Sequence, residues 1–469
     1  MYKGSLVTIE DLSNEQIEDV LDLAQEVQEN PDAFYGIASR RIMASLFLEP
    51  STRTRGSFEA AMKRLGGDTI TTADPRSSSM EKGESLADTI RIWSGYSDLI
   101  VLRHPWEGAA HLAAEYSDVP VINAGDGSHE HPTQTLLDLY TLRKEFGSLG
   151  GLKIVLCGDL KHGRTVHSLI YALLRFGAAI ILAPGEGLGL PEHAVHRIET
   201  EYARSIQKIR LPGLEALYGE GPEEGGSVVD AIYMTPRQPH SPTLLDSIQF
   251  SIGKDEPLAF YVTRRQVERE AATDGSLRRY PHINARVLGR ADFSRAVILH
   301  PLPRLDELST EVDSDSRSRY FEQARNGVPV RMALIALMLG LRPWSYGAQA
   351  EEPSRGGVAV SNPCGIKCMN QSCVTQREPR SAKAKFTFFQ VPRVRFVCSY
   401  CEREVLPAFY ASSTGEAYYP VEELPPQPLD PSKYAFFLDK ASAQASGLRQ
   451  VSPHPRPLSH WERGGQRPG

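Results

Sequence analysis

The first 345 of 469 residues predict an α/β fold with parallel sheets, and the rest predicts a separate cysteine-bearing module. Three observations carry this reading. Apolar strand-like runs alternate with segments of helical spacing. Polar loops rich in Arg, His, Ser and Thr follow those runs, at the strand ends where α/β sheets collect ligands. Five of the six cysteines crowd between Cys364 and Cys401, while Cys157 stands alone before them.

The first element is the near-continuous apolar run Ile42–Leu48, the pattern of a strand buried on both faces of a parallel sheet. Phe58, Ala61, Met62 and Leu65 then recur at helical spacing, and Gly66-Gly67 supplies a stop. Between the two lie Ser51, Thr52, Arg53, Thr54 and Arg55, with Ser51 or Thr52 placed to cap the helix. A helix N-terminus attracts anions, guanidinium forks match phosphate oxygens, and hydroxyls complete a ring of donors. This cluster is read as an anion site.

"SDLIVLRH" predicts a second strand, ending in Arg103 and His104. "VPVINAGDG" predicts another, followed by a helix in "HEHPTQTLLDLYTLRKEF" with Pro132 in its first turn. Within it His131 and Gln134 stand three apart, on one helical face. A neutral His can donate to a carbonyl oxygen while Gln accepts from an amide. "RSSSMEKGESLADT" places Ser77 to Ser79 and Lys82 ahead of a helix, suited to a flap that closes a cation over an anion. "LKIVLCGDLKHGRTVHSLIYALLRFG" repeats the strand–loop–helix theme and opens a second sheet. It lacks the spacing of a dinucleotide or P-loop glycine motif and instead offers Arg164 at a helix start, suited to a carboxylate. "AVILHPLPR" is one more strand, ending in a Pro-rich turn at Pro301, Leu302 and Pro303.

Composition narrows the function. Hydrophobic content of 41% and charged content of 23% describe an ordinary globular chain, and a net charge of −6 argues against a general nucleic-acid binder. The N-terminal stretch lacks an apolar signal region, and the longest late charge-free apolar run, Met332–Leu341, has 10 residues against the ~20 that span a bilayer. A cytoplasmic protein that binds neither membrane nor nucleic acid is expected.

Residues 346–362 turn Gly-, Ser-, Pro- and Glu-rich and read as a linker. Beyond them Cys368 and Cys373 form C-x₄-C, and after 24 residues Cys398 and Cys401 form C-x₂-C. Two close thiolate pairs make a tetrahedral zinc site, and a module this small gains much of its folding free energy from the metal. Cys364 fits the pattern less well. The end of the chain, about 441–469, reads as disordered.

The ordered set "STRTR", the Ser/Lys-Gly loop, "RHP", "HPTQ", "GDLKHGRTVHSL", "YVTRRQVERE" and "HPLPR" resembles the aspartate/ornithine carbamoyltransferase family over about residues 1–345. "HPLPR" and the Lys82 loop resemble its aspartate branch. The cysteine spacing resembles the zinc domain of the regulatory chains of that branch, without the nucleotide-binding domain that precedes it there.

The resemblance implies two doubly wound parallel-sheet domains plus a small β-rich zinc domain. Residues 1–137 would bind carbamoyl phosphate, completed by a helix at about 322–345; residues 138–321 would bind aspartate; residues 363–440 would hold zinc. It implies transfer of a carbamoyl group to L-aspartate in pyrimidine synthesis. The alternatives are another amino-acid acceptor or a non-catalytic assembly subunit.

By the same resemblance Ser51, Thr52, Arg53 and Thr54 bind the phosphate, with Arg55 structural. Arg103, His131 and Thr54 surround the carbonyl oxygen, and Gln134 with the Pro301–Leu302–Pro303 turn orients the amide. Arg164, Arg264 and Gln266 hold the aspartate carboxylates. Lys82 with Ser78 or Ser79 serves a neighbouring subunit's site in a homotrimer, and the zinc domain would be the route to a larger assembly. The chemistry itself requires no metal. Two segments compete for the Arg-x-Gln role. "AFYVTRRQVERE" fits residue for residue, whereas "DAIYMTPRQPH" carries Pro236 where the arginine belongs, which leaves Arg237 as the alternative and about Thr235–Phe260 as an insertion.

Overall fold

The computed structural model describes the chain apart from residues 1–3, 74–82, 162, 186, 203–206, 209–229, 236–257, 265–281, 291–292, 346–356, 392, 425–426 and 451–469. It divides into two compact units, residues 1–353 and 354–469.

In the first unit, strands β1 (Ile42–Phe47), β2 (Asp68–Thr72), β3 (Leu99–His104) and β4 (Val121–Asp126) form a parallel sheet of order β2-β1-β3-β4. The central strands β1 and β3 are almost wholly buried, as unbroken apolar runs require when helices cover both faces. Helices α1 (Asn14–Glu29), α2 (Thr52–Arg64), α3 (Leu86–Ser94), α4 (Ala109–Tyr116) and α5 (Pro132–Phe146) accompany this sheet.

The second sheet contains β5 (Lys153–Gly158), β6 (Ala179–Pro184), β7 (Gln207–Lys208), β8 (Ala231–Met234), β9 (Leu258–Val262) and β10 (Ala296–Leu299), in parallel order β10-β9-β8-β5-β6-β7. Helices α6 (Arg164–Arg175), α7 (Glu192–Glu201) and α8 (Ala285–Leu288) belong to this lobe. Helix α9 (Tyr320–Met338) then returns to pack against α1, α2 and α5 of the first lobe. Among the described residues no helix is long and apolar enough to cross a membrane.

Three expectations need correction. The insertion expected over about Thr235–Phe260 lies outside the described residues at 236–257, and only its end needs correction, since Leu258–Phe260 belong to β9, an interior strand flanked by β8 and β10. The two competing segments are therefore neighbouring core strands, with Tyr233 opposite Tyr261 and their rings stacked 4.2 Å apart. The similarity of "AIYMT" to "AFYVT" reflects the shared demand for a strand buried on both faces.

The linker ends early as well. Val358–Ser361 forms β11, antiparallel to β12 (Lys385–Phe389). The glycine that made this stretch look like a linker has a packing role, because a Cβ on Gly357 would lie 2.5 Å from Thr387 Cγ2. The tail, expected to be disordered from 441, folds to residue 450: Lys440–Ala445 is helical, Ala443 is fully buried, and Asp439 caps the helix by accepting from Ser442 N at 2.7 Å. Residues 451–469 lie outside the described residues.

The second unit completes its first antiparallel sheet with β13 (Arg395–Cys398) and β14 (Glu404–Val405). A further sheet holds β15 (Phe409–Ser412), β16 (Ala417–Pro420), β17 (Tyr434–Phe437) and β18 (Arg449–Gln450). Phe436 joins the two, its ring centroid 5.0 Å from Phe396 and 5.7 Å from Phe388.

Candidate active site and metal site

The strand ends of both sheets carry the polar residues singled out above. Ser51 is the N-cap of α2, so Thr52, Arg53 and Thr54 form its first turn, where backbone N–H groups are unpaired by intrahelical bonds. Arg53 reaches the other lobe, its Nη2 donating to the Leu302 carbonyl at 2.7 Å. Partial burial and the neighbouring Arg264 guanidinium lower its pKa. Two cations held this close form a local positive field suited to a small anion. Arg55 instead turns along its helix to Glu59, 3.8 Å away, in keeping with a structural part.

Arg103 closes β3 opposite Phe47 of β1 and is 7 % exposed. Its guanidinium donates to Glu49 Oε1 at 2.8 Å and to the Ala124 carbonyl at 3.2 Å, which aims it along the edge between β1 and β4. The next residue, His104, is buried, and burial pushes its pKa down to about 3, so it stays neutral and accepts from Trp106 N–H at 3.1 Å.

His131 is the buried N-cap residue of α5, one turn before half-buried Gln134. The turn that delivers it depends on Asp126, which accepts from Gly108 N, Asn123 Nδ2 and Glu130 N at 2.9–3.1 Å. Gly127 adopts φ +56°, and a Cβ there would lie 2.8 Å from Glu107 Cγ, so only glycine fits. Gln134 directs Nε2 to Asp138 Oδ1 at 3.0 Å.

After β10 the chain turns through Pro301, Leu302 and Pro303. Leu302 holds φ +53°, a left-handed conformation unusual for a residue with a side chain. Its N–H donates to His300 Nδ1 at 2.8 Å, and His300 Nε2 faces buried Glu307 at 2.9 Å. Burial lowers the His300 pKa, which keeps the ring neutral with its proton on Nε2. Arg304 points away to Asp313, 2.7 Å from its Oδ2.

Arg164 opens α6 at the end of β5, and half-buried Arg264 follows β9. Lys82, Ser78, Ser79, Gln266 and Arg237 lie outside the described residues. Sequence reasoning missed Glu49, Asp138, Glu307 and Gln323, which hydrogen-bond to the predicted residues or to their neighbours. Asp138 alone left a signal, four positions after Gln134 on the same helical face.

In the second unit Cys368, Cys373, Cys398 and Cys401 are all buried, and their sulfurs lie within 4.8 Å of one another. Two of the separations are 3.5 Å (Cys368–Cys401) and 3.9 Å (Cys373–Cys398). A tetrahedral metal with bonds of about 2.3 Å to sulfur requires separations of about 3.8 Å, so the four thiols fit a metal site. Thr375 Oγ1 donates to Cys373 Sγ at 3.2 Å, the kind of outer contact that orients a ligand. Cys364 is exposed and stands apart from the four.

Comparison with known proteins agrees with this geometry. Residues 5–144 match the model of the aspartate/ornithine carbamoyltransferase carbamoyl-P binding domain, and residues 261–338 match the Asp/Orn binding domain of that family. Residues 360–406 match the metal binding domain of the aspartate carbamoyltransferase regulatory chain.

The chain is 44% identical over 345 residues to the aspartate carbamoyltransferase catalytic subunit of Methanopyrus kandleri, covering 71% of this chain and 97% of that protein. Identity to the Archaeoglobus fulgidus catalytic subunit is 45% over 333 residues, with the same coverage of 71% and 97%. Among solved structures, the M. jannaschii catalytic subunit superimposes with a TM-score of 0.54 at 41% identity, covering 71% of this chain and 96% of that one. The Trypanosoma cruzi enzyme, in complex with N-(phosphonacetyl)-L-aspartic acid, gives 0.54 at 35% identity, covering 71% and 94%. By sequence, fold and the disposition of its strand-end residues, the chain belongs to the aspartate/ornithine carbamoyltransferase family, in the aspartate carbamoyltransferase branch, and carries a metal-binding domain of the regulatory-chain type.

Proposed function

We propose that this chain transfers the carbamoyl group of carbamoyl phosphate to the amine of L-aspartate, giving N-carbamoyl-L-aspartate and phosphate at an early step of pyrimidine synthesis. The observation that carries this reading is the approach of Arg53, on the first lobe, to Leu302 and Arg264 on the second. In this reading one cleft holds a cation for the phosphate, a carbonyl to accept from the amide and a cation for a carboxylate.

Ser51, Thr52, Arg53 and Thr54 bind the phosphate at the α2 N-terminus. Arg103, His131 and Thr54 hold the carbonyl oxygen, and the oxyanion draws more from them as the amine attacks. Gln134 Oε1 and the carbonyls of the Pro301–Leu302–Pro303 turn accept from the carbamoyl NH₂. Arg164, Arg264 and Gln266 grip the two carboxylates of aspartate. The amine lone pair forms the new C–N bond, the C–O bond to phosphate breaks with its electron pair leaving on phosphate, and the one proton the amine sheds passes to the departing phosphate. Positioning and electrostatics account for the rate, with no metal in the chemistry. The four-thiolate site holds Zn²⁺ in a closed structural role, and the cytoplasm is the compartment that suits its unoxidised thiols.

Lys82 with Ser78 or Ser79 completes the site of a neighbouring subunit in a homotrimer, and the zinc domain supplies contacts for larger assembly. Mixing inactive Lys82→Ala and inactive Arg53→Ala subunits is expected to restore part of the activity, because some hybrid sites combine an intact Arg53 with a borrowed Lys82. Activity that stays absent after verified subunit exchange would rule out a shared site.

A further inference from the structure

Asp138 is a carboxylate in the interior, 2 % exposed, that none of the roles above employs. Its Oδ1 accepts from Gln134 Nε2 at 3.0 Å and from Gln323 Nε2 at 3.2 Å, and both its oxygens lie 3.3–3.4 Å from the Tyr261 hydroxyl. Gln323, on α9, in turn accepts the His300 backbone N–H on its Oε1 at 2.9 Å. One carboxylate therefore touches the helix that bears Gln134, the brace of the Leu302 turn, and the strand that leads to Arg264.

An ionised carboxylate accepts and cannot donate. With Nε2 of Gln134 committed to Asp138, its Oε1 is the atom left to meet a ligand amide. The same logic turns Gln323 Oε1 to His300 N–H. We infer that Asp138 is a positioning residue for carbamoyl transfer, whose carboxylate fixes the orientation of the Gln134 and Gln323 amides and so presents Gln134 Oε1 and the Leu302 turn to the carbamoyl NH₂. This rests on the role proposed for Gln134.

Protonation reverses the arrangement. A protonated Asp138 becomes a donor, and Gln134 then gains by turning Oε1 inward and its NH₂ toward the ligand, where two donors would face each other. Among the described residues the groups facing Asp138 are Gln134 on its own helix, Tyr261 from β9, Tyr233 from β8 and Gln323 from α9, none of them charged at neutral pH. Burial among them pushes its pKa up to about 7, opposed by the three hydrogen bonds. The ionised, working form is therefore lost as pH falls through about 7.

The test measures kcat/KM for carbamoyl phosphate from pH 6 to 8.5 in the full-length protein and in Asp138→Asn, Gln134→Ala, the double variant and Tyr261→Phe, each checked for folding by thermal melting. Asp138→Asn keeps the shape but supplies a donor, and is expected to lose about 10- to 100-fold, as small misplacements of reacting groups do. In the Gln134→Ala background the same change should cost clearly less than in the unaltered protein, because only the part that acts through Gln323 and the Leu302 turn remains and residues acting through one another are not additive. The unaltered protein should show an acid limb near pH 7. Tyr261→Phe, which removes one bond to the carboxylate, should move that limb to higher pH, and this readout stands even if Asp138→Asn fails to fold.

Full additivity of the two substitutions, wild-type kinetics in Asp138→Asn, or a limb that Tyr261→Phe leaves in place would overturn the inference while leaving the catalytic reading intact. A Gln134→Ala variant as active as the unaltered protein would remove the role of Gln134 on which the inference depends, and the inference with it.

Discussion

Arg53→Ala is expected to slow carbamoyl transfer by about 10²-fold or more, the scale seen when a preorganised electrostatic stabiliser is deleted from an active site. The residue stands in the first turn of α2, where the helix N-terminus already favours an anion, and its guanidinium reaches the Leu302 carbonyl of the other lobe. Arg264 lies close enough to lower its pKa. Removing Arg53 therefore takes away the proposed phosphate contact, half of a paired positive field and one link between the lobes. Its side chain is only partly buried and belongs to neither hydrophobic core, so the fold should survive with a melting temperature close to that of the unaltered protein. Initial rates at saturating aspartate, with carbamoyl phosphate varied, measure the effect; near-normal turnover would remove the opening hydroxyl–arginine cluster from the phosphate site.

Metal removal should have an equally large effect on a different part of the molecule. Chelation, or Cys398→Ser, is expected to unfold roughly residues 358–450, because the binding free energy of a structural zinc site is on the order of 10 kcal/mol and is folding free energy for a small module. The affected span is wider than the cysteine loops since Phe436 packs on Phe388 and Phe396, so the outer sheet loses its support together with the metal-bearing one. The catalytic lobes keep their own cores, and none of the four sulfurs belongs to the proposed catalytic set. The stripped protein should retain at least part of its activity while resisting heat less well or assembling differently. Circular dichroism, zinc content and carbamoyl transfer measured on one sample check this. Complete loss of chemistry in a protein whose lobes remain folded and correctly assembled would assign the metal to the active site instead.

The parts of this molecule legible from sequence are those in which a local pattern and a local function coincide. β1 and the first turn of α2 declare themselves because a strand buried on both faces must be apolar throughout and a hydroxyl residue caps the helix that follows it. The four cysteines declare themselves because a tetrahedral metal draws ligands in close pairs. The corrections fall where length or context overrides pattern. β11 has four residues and follows a glycine demanded by Thr387, a contact that is distant in sequence. β9 resembled its neighbour β8 because both satisfy the same burial on both faces. The support of the site was the least legible part: Asp138 and Gln323 are 185 positions apart, and only the return of α9 to the first lobe brings them together.

The most direct test of the proposed division of labour compares Arg264→Ala with Arg237→Ala. Both follow similar strands in adjacent positions of the second sheet, and the field of Arg264 reaches Arg53. The account expects Arg264→Ala to raise the KM for aspartate far more than that for carbamoyl phosphate, since it removes a carboxylate grip and leaves the phosphate site in place. Arg237→Ala should leave both constants close to their original values. The reverse pattern, with aspartate binding lost in Arg237→Ala and preserved in Arg264→Ala, would contradict the assignment of the aspartate site to the segment after β9.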